Sequence, residues 1–339
     1  MKKSPMLAPI PWNRIPITAE LAEARAWMTY QASRGLAWNT LGAYGRNLEH
    51  YLRFLQRNAI LPWEVKRDRI AAYLHELLDT SSRAETVSRL ANATIQQHLT
   101  TIRLFYDYLV EEDCCKRNWF RRSSGFSSRP LVLREHKLPW IPTEEEWCRV
   151  LAVTAEESIR NRLMLAMSYD AALRREELCL LETGDLDPSH RTLHIRAETT
   201  KNRRSRVLPY SAVTGELFGL YLQKRRTLSP SRGPLFLSES RRNRAQPLSI
   251  WSWSKTVNAI AKRANVNGFS THTMRHLCLT DLARADWDIH EIATFAGHRH
   301  IETTMIYIHL SARDLAAKFK ATMTQVHQRR LDLMKEMFP

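Results

Sequence analysis

The sequence predicts a mainly α protein with a small β-sheet, arranged as an all-helical N-terminal domain followed by a mixed α/β domain. Three observations lead there. Apolar residues recur at helical spacing across residues 18–115. Residues 116–142 lose that period and fill with basic residues, serines and prolines. Beyond them helical spacing resumes, interrupted once by a hairpin-like pair of strand segments.

Residues 1–17 hold Pro5, Pro9, Pro11 and Pro16 and read as an irregular arm. A helical pattern begins at Thr18, with Leu21, Trp27 and Met28, and breaks at Gly35. A second helix fits Thr40 to Arg57, where Leu41, Tyr44, Leu48, Tyr51, Leu52 and Leu55 share a face and Thr40 is the expected N-cap. A third runs from Asp68 to Leu78, and a fourth from Asn92 to Val110 with Ile95, Leu99, Ile102, Phe105 and Leu109 on one side. In residues 116–142, Lys116, Arg117, Arg121, Arg122, Arg129, Arg134 and Lys137 mark an interdomain linker. It is either a solvated loop or a strap across phosphates.

Thr143 and Glu146 have the spacing of a capping box, opening a helix to residue 154, and another helix fits 159–169. Strand character follows at Thr192 to Arg196 and Arg206 to Leu208, around a turn at Thr200 to Arg204. Helices then fit 211–226, 250–264, 271–285, 288–296 and 301–306. In the tail, 311–339, Leu315, Phe319, Met323 and Val326 recur at helical spacing. A terminal amphipathic helix of this kind either folds back on its own domain or docks on a neighbouring subunit.

With 339 residues, 44% of them hydrophobic, the chain is too apolar to be disordered and long enough for two domains. A net charge of +16 points to a polyanionic partner, nucleic acid first. The five cysteines, Cys114, Cys115, Cys148, Cys179 and Cys278, are odd in number and contain no CxxC pair, so neither a disulfide framework nor a cysteine-held metal is expected. No apolar run is long enough for a bilayer, and prolines interrupt the N-terminal apolar stretch. Neither a membrane span nor a secretory leader is therefore expected, and the expected location is the cytoplasm.

Chemistry-bearing residues gather late in the chain. His272, Arg275 and His276 stand three and four apart and share a helix face. His298 follows twenty-two residues after His276, and Tyr307 nine after His298. Upstream lie Arg174 and Glu177, with Lys201 in the predicted hairpin turn. Arginines and histidines offer cationic donors suited to phosphate oxygens. A tyrosine becomes a nucleophile when cations lower its cost of ionisation. Carboxylate clusters for a hard metal and the GxxxxGK[ST] loop are both missing, so no metal or other cofactor is expected. Each residue also has a plain reading: Tyr307 as core packing, Lys201 as a solvated turn residue, Arg174 and Glu177 as a surface pair. The HxxxH spacing of His272 and His276 lacks the glutamate of a zinc protease, since position 273 is Thr. In combination they suggest metal-free phosphoryl transfer by a protein nucleophile.

In this order and spacing the residues resemble the catalytic domain of the tyrosine recombinase/integrase family, over residues 143–310. The family's Arg-x-x-Glu-Leu pattern is matched by Arg174, Glu177 and Leu178; its hairpin lysine by Lys201; its HxxRH box by His272, Arg275 and His276; its Gly-His by Gly297 and His298; and its Thr-Thr-x-x-Tyr-x-His by residues Thr303 to His309. Ala172, Glu176 and Ala296 depart from residues common in the family without replacing a catalytic side chain. The resemblance implies a SAM-like core-binding domain over 18–115, the basic linker over 116–142, the catalytic domain over 143–310 and a C-terminal helix for subunit exchange over 311–339.

It further implies a site-specific DNA recombinase that works through a 3′-phosphotyrosine on Tyr307. Arg174 and Arg275 would hold phosphate oxygens, and His272 would accept or share the tyrosine proton. Lys201 would protonate the leaving oxygen and His298 would bond the phosphate, with Glu177 and His276 as supports. The implied partners are double-stranded DNA with inverted-repeat core sites and a homotetramer on two sites, alone or with a second recombinase. The biological task would be integration, excision, transposition or resolution of a mobile element or replicon. Two alternatives share the residues: a type IB topoisomerase-like relaxing enzyme and a catalytically silent DNA-binding relative.

Overall fold

The structure, a computed structural model, describes residues 9–79, 90–120, 138–200, 202–311 and 315–336. Lys201, residues 121–137 of the expected linker and residues 1–8 of the arm lie outside the described residues. The chain divides into two compact units, residues 1–136 and 137–339.

The first unit is all-helical: α1 Pro16–Glu20, α2 Ala22–Ser33, α3 Trp38–Arg57, α4 Arg67–Asp79 and α5 Asn92–Glu111. Its core buries the apolar stripes of these helices, with Trp27, Leu48, Tyr51, Ile102 and Phe105 at its centre. Two expectations are corrected. The helix expected from Thr18 is two helices, because Leu21 adopts an extended backbone between α1 and α2. Thr40 does not cap: α3 starts two residues earlier, at Trp38, behind Ala37, whose side chain makes no capping bond.

The short α1 instead takes its cap from afar. The Glu49 carboxylate, 6% exposed on α3, accepts from Ile17 N at 3.3 Å, Thr18 N at 2.9 Å and Thr18 Oγ1 at 2.9 Å. The first N–H groups of a helix have no partner within it, so a carboxylate delivered by tertiary packing satisfies them as a local Ser or Asp would.

The second unit begins with α6 Glu144–Ala155, opened by the expected capping box: Glu146 N donates to Thr143 Oγ1 at 3.2 Å, and Thr143 N to Glu146 Oε2 at 2.8 Å. Then come α7 Ile159–Asp170, α8 Arg175–Cys179 and the strands β1 Leu186–Asp187, β2 Thr192–Ile195 and β3 Arg206–Pro209. The strands form an antiparallel sheet in the order β1-β2-β3. The expected hairpin is β2–β3; β1, with two residues, is too short to show a period in sequence. Leu186 pairs with Leu193, Leu193 with Leu208 and Ile195 with Arg206. This register turns Leu186, Leu193, Ile195 and Leu208 to the core and leaves Val207 exposed.

The remaining helices are α9 Ala212–Leu228, α10 Ile250–Arg263, α11 Thr273–Arg284, α12 Ile289–Ala296, α13 Glu302–Ser311 and α14 Leu315–Glu336. α13 continues past the expected end at residue 306, so Tyr307 sits inside a helix and is buried in the core with Leu173, Leu279 and Ile292. On α14, Phe319, Leu333 and Met334 are exposed. No helix among the described residues is long and apolar enough to cross a membrane.

The Glu49 cap yields a stability prediction. Glu49→Ala removes a buried charged acceptor from three donors and should destabilise the first unit by about 1.5–3 kcal/mol. Thr18→Ala removes one of those bonds and should cost less. Urea unfolding of the full chain, with each transition assigned by limited proteolysis, measures both. An unchanged midpoint for Glu49→Ala would mean that α1 does not depend on this carboxylate.

Candidate active site

The turn between α7 and α8 delivers the first site residue. Ala172 has a left-handed backbone, φ +46°, with its N–H bonded to Tyr169 O at 3.0 Å. That conformation costs a residue with a Cβ roughly 1–2 kcal/mol. It reverses the chain and sets Arg174 at the N-cap of α8. Arg174 N donates to Glu177 Oε2 at 3.0 Å and Nη1 to Glu177 Oε1 at 2.8 Å. Glu177 is 1% exposed, whereas its neighbour Glu176 faces solvent.

A second arginine meets the same carboxylate. Arg206, on β3, donates from Nη1 to Glu177 Oε1 at 3.1 Å and from Nη2 to Oε2 at 2.7 Å. Burial alone would raise the Glu177 pKa. The Arg206 hydrogen bonds and charge, then those of Arg174, outweigh it and hold the group below its ordinary value. Arg206 Nε also donates to Phe295 O at 3.1 Å. A Cβ on Gly297 would stand 3.0 Å from Arg206 Nη1, and Gly297 has φ +65°, so both space and backbone call for glycine there.

Helices α11 and α13 and the turn that follows α12 carry the other residues. Arg275 on α11 is buried; Nη1 donates to Ala172 O at 2.5 Å, and Nη2 to Ala296 O at 2.6 Å and His298 Nε2 at 3.0 Å. Burial first, and the Arg174 charge second, bring its pKa down to about 10, so it stays cationic at neutral pH. Arginine can only donate, so His298 Nε2 accepts and the ring proton sits on Nδ1, which donates to Thr304 Oγ1 at 2.9 Å. Burial and then the charges of Arg275, Arg174 and Arg206 lower the His298 pKa to about 3.

Tyr307 lies 2% exposed between two imidazoles. His276 Nδ1 is 3.0 Å from its hydroxyl, and the His298 ring stacks parallel to it with centroids 6.0 Å apart. Burial raises the phenol pKa, opposed by Arg275 and Arg174. Burial, then His272 and Arg275, lower the His276 pKa to about 4. Tyr307 is therefore a neutral phenol held by a neutral imidazole, with two guanidiniums ready to favour its anion.

Six of the eight expected residues, Arg174, Glu177, Arg275, His276, His298 and Tyr307, thus meet in one network. His272 is the N-cap residue of α11, not a member of the helix, and is exposed, its ring centre 6.4 Å from that of His276. Partial burial and then Arg175, Arg275 and Arg174 lower its pKa. The ring nitrogen on the Tyr307 hydroxyl belongs to His276. Lys201 lies outside the described residues. Sequence reasoning missed Arg206 and Thr304. Arg206 carried one signal: in a strand whose Leu208 faces inward, the residue two before it faces inward as well. Among the described residues, no group of three or more His, Cys, Asp or Glu could hold a metal.

The two low-pKa histidines determine an acid response. The unfolded rings take their protons near pH 6.5, while folded His276 and His298 resist until about 4 and about 3. Above pH 6.5 both states are neutral and the rings contribute nothing. As pH falls below 6.5 only the unfolded state gains these protons, so stability of the second unit should drop. His276→Gln should flatten part of that fall in a urea-midpoint profile from pH 7 to 5. A variant whose profile parallels the wild type would show that His276 titrates normally in the folded chain.

Comparisons with known proteins give the family and the fold. Residues 142–313 match the model of the phage integrase family, and residues 26–113 that of the phage integrase N-terminal SAM-like domain. Tyrosine recombinase XerD of Halalkalibacterium halodurans is 28% identical over 308 residues, covering 85% of this chain and 94% of that protein. Tyrosine recombinase XerC of Herpetosiphon aurantiacus is 26% identical over 305 residues, covering 88% and 93%. In fold, the chain is similar to the XerH site-specific recombinase bound to palindromic difH substrate (TM-score 0.68, 17% identity, 88% of this chain and 84% of that one). It is also similar to the Tn1549 transposon integrase in complex with a circular intermediate DNA (TM-score 0.64, 18% identity, 83% and 93%). The chain belongs to the phage integrase family and is a tyrosine recombinase.

Proposed function

We propose that this recombinase cuts and rejoins double-stranded DNA at inverted-repeat core sites through a 3′-phosphotyrosine on Tyr307. The observation that carries the proposal is the gathering of His276 on the Tyr307 hydroxyl, His298 stacked on its ring and bonded to Arg275, and the charges of Arg275 and Arg174 acting on the phenol. The Tyr307 oxygen attacks the scissile phosphorus; the Tyr–O–P bond forms and the bond to the 5′-oxygen breaks. His276, already 3.0 Å from the hydroxyl, receives the phenol proton, a role the sequence assigned to His272. His272, exposed and within reach of the charges of Arg175, Arg275 and Arg174, takes the phosphate instead. Arg174 and Arg275 stabilise the charge that develops on the non-bridging oxygens, and Lys201 protonates the departing 5′-oxygen. The 5′-hydroxyl of a partner strand reverses these steps. One phosphoester bond is exchanged for another at each step, so no ATP is needed, and Arg174, Arg275 and Lys201 supply the positive charge.

The +16 charge supports duplex DNA as substrate. The domain roles follow the family: residues 18–115 grip the core site, 116–142 link, 143–310 cut, and 311–339 exchange between subunits of a tetramer on two sites, alone or with a second recombinase. Exposed Phe319, Leu333 and Met334 on α14 favour this assembly over a monomeric DNA-relaxing enzyme. The task served is integration, excision, transposition or resolution of a mobile element or replicon.

A nicked suicide substrate tests the chemistry. Tyr307→Phe removes one oxygen and keeps the ring, so DNA binding should persist while the covalent adduct on a denaturing gel vanishes. An adduct that survives in this variant, or that peptide mapping places elsewhere, refutes the mechanism. Arg174→Ala should slow adduct formation by roughly 10²–10³, the scale for losing one preorganised charge-stabilising donor, with only a modest loss of affinity. Equal losses in rate and affinity would reduce Arg174 to an ordinary backbone contact.

A further inference from the structure

Arg203, Arg204 and Arg206 stand together in sequence, yet Arg203 and Arg204 are exposed while the Arg206 side chain is 9% exposed. An arginine on the core face of a strand is costly to bury unless its donors are matched, and here they are matched on three sides. Arg206 grips both oxygens of Glu177, at 3.1 and 2.7 Å, and its Nε holds Phe295 O at 3.1 Å. One side chain thereby joins three segments far apart in sequence: the 174–177 turn, β3 and the 295–297 turn that leads to His298.

The sharing of Glu177 is unequal. Arg206 takes the two-pronged pairing that a guanidinium makes with a carboxylate, while Arg174 is tied through Nη1 at 2.8 Å. Its Nη2 reaches Gly297 O at 3.4 Å, the long limit of a hydrogen bond. We propose that Arg206 is the positioning residue of Arg174: by occupying both Glu177 oxygens it keeps Arg174 anchored by one nitrogen and leaves the rest of that guanidinium available to the scissile phosphate. The inference rests on the phosphate-holding role proposed for Arg174 above. Without the Arg206 fork, buried Glu177 lacks two donors and Arg174 carries the nearest substitutes. Arg174 then turns into the two-pronged pairing itself and away from the phosphate. Lysine cannot replace Arg206, because an ammonium is a point charge that cannot hold the plane of a carboxylate.

The test uses the full chain and a nicked suicide substrate under single-turnover conditions. Adduct rate constant, DNA affinity and urea midpoint are measured for the wild type, Arg206→Lys, Arg206→Ala, Arg174→Ala and the Arg174→Ala/Arg206→Lys double variant. Arg206→Lys should slow adduct formation by about 10²-fold, the scale for an ångström-sized misplacement of a reacting group, while affinity stays near the wild type. In the Arg174→Ala background, adding Arg206→Lys should cost almost nothing more, because the residue it positions is already gone. Should Arg206→Ala fail to fold, Arg206→Lys, which keeps a charge against Glu177, carries the comparison. A wild-type rate in Arg206→Lys overturns the proposal. So does a double variant whose loss is the product of the single losses, since an independent structural brace would act additively. A wild type that forms no adduct on Tyr307 would instead refute the proposed function, a result read without any Arg206 variant.

Discussion

The second unit is organised around one buried negative charge. Removing a carboxylate from water costs several kcal/mol, and only close opposite charges with well-directed hydrogen bonds offset it. Glu177 meets that condition with donors from two places, the Arg174 backbone and side chain and the Arg206 fork. The arrangement requires α8 and β3 to lie side by side with their polar groups facing inward. The sheet is therefore more than a connection between helices: its register opposite Ile195 is what points Arg206 at Glu177.

A complementary constraint governs buried Arg275. Arg275 is held by the carbonyls of Ala172 and Ala296, which lie where α7 and α12 end. Helix C-termini carry the negative end of the macrodipole and unpaired carbonyls, so two such ends stabilise a guanidinium out of water. Both are ended by left-handed residues, Ala172 at φ +46° and Gly297 at φ +65°. Backbone strain at Ala172 thus belongs to the geometry that aims a carbonyl at Arg275.

The hydrogen bonds also have a direction. Arg275 donates to His298, whose other nitrogen donates to Thr304, and this leaves His298 neutral against the Tyr307 ring. His276 is neutral on the Tyr307 hydroxyl, where burial raises the phenol pKa and the charges of Arg275 and Arg174 oppose that rise. The strong positive charge of the whole chain sets the partner class, while these few oriented groups set the reaction.

Much of this was legible in the sequence because it is local. Helical spacing reveals α3 and α5, and the Thr143 capping box involves groups three residues apart. The order of Arg174, Glu177, Lys201, His272, Arg275, His276, His298 and Tyr307 carried the family resemblance by itself. What tertiary structure decided lies in contacts between distant positions. Glu49 caps a helix more than thirty residues before it, a contact that no local pattern around α1 states. Arg206 reaches Glu177 from 29 residues away and Arg275 reaches Ala172 from 103. His272 and His276 were equivalent by spacing, and only the packing of α13 against α11 put His276 on the Tyr307 hydroxyl. A periodic sequence states which face of an element is turned inward; what stands opposite that face is settled when the elements pack.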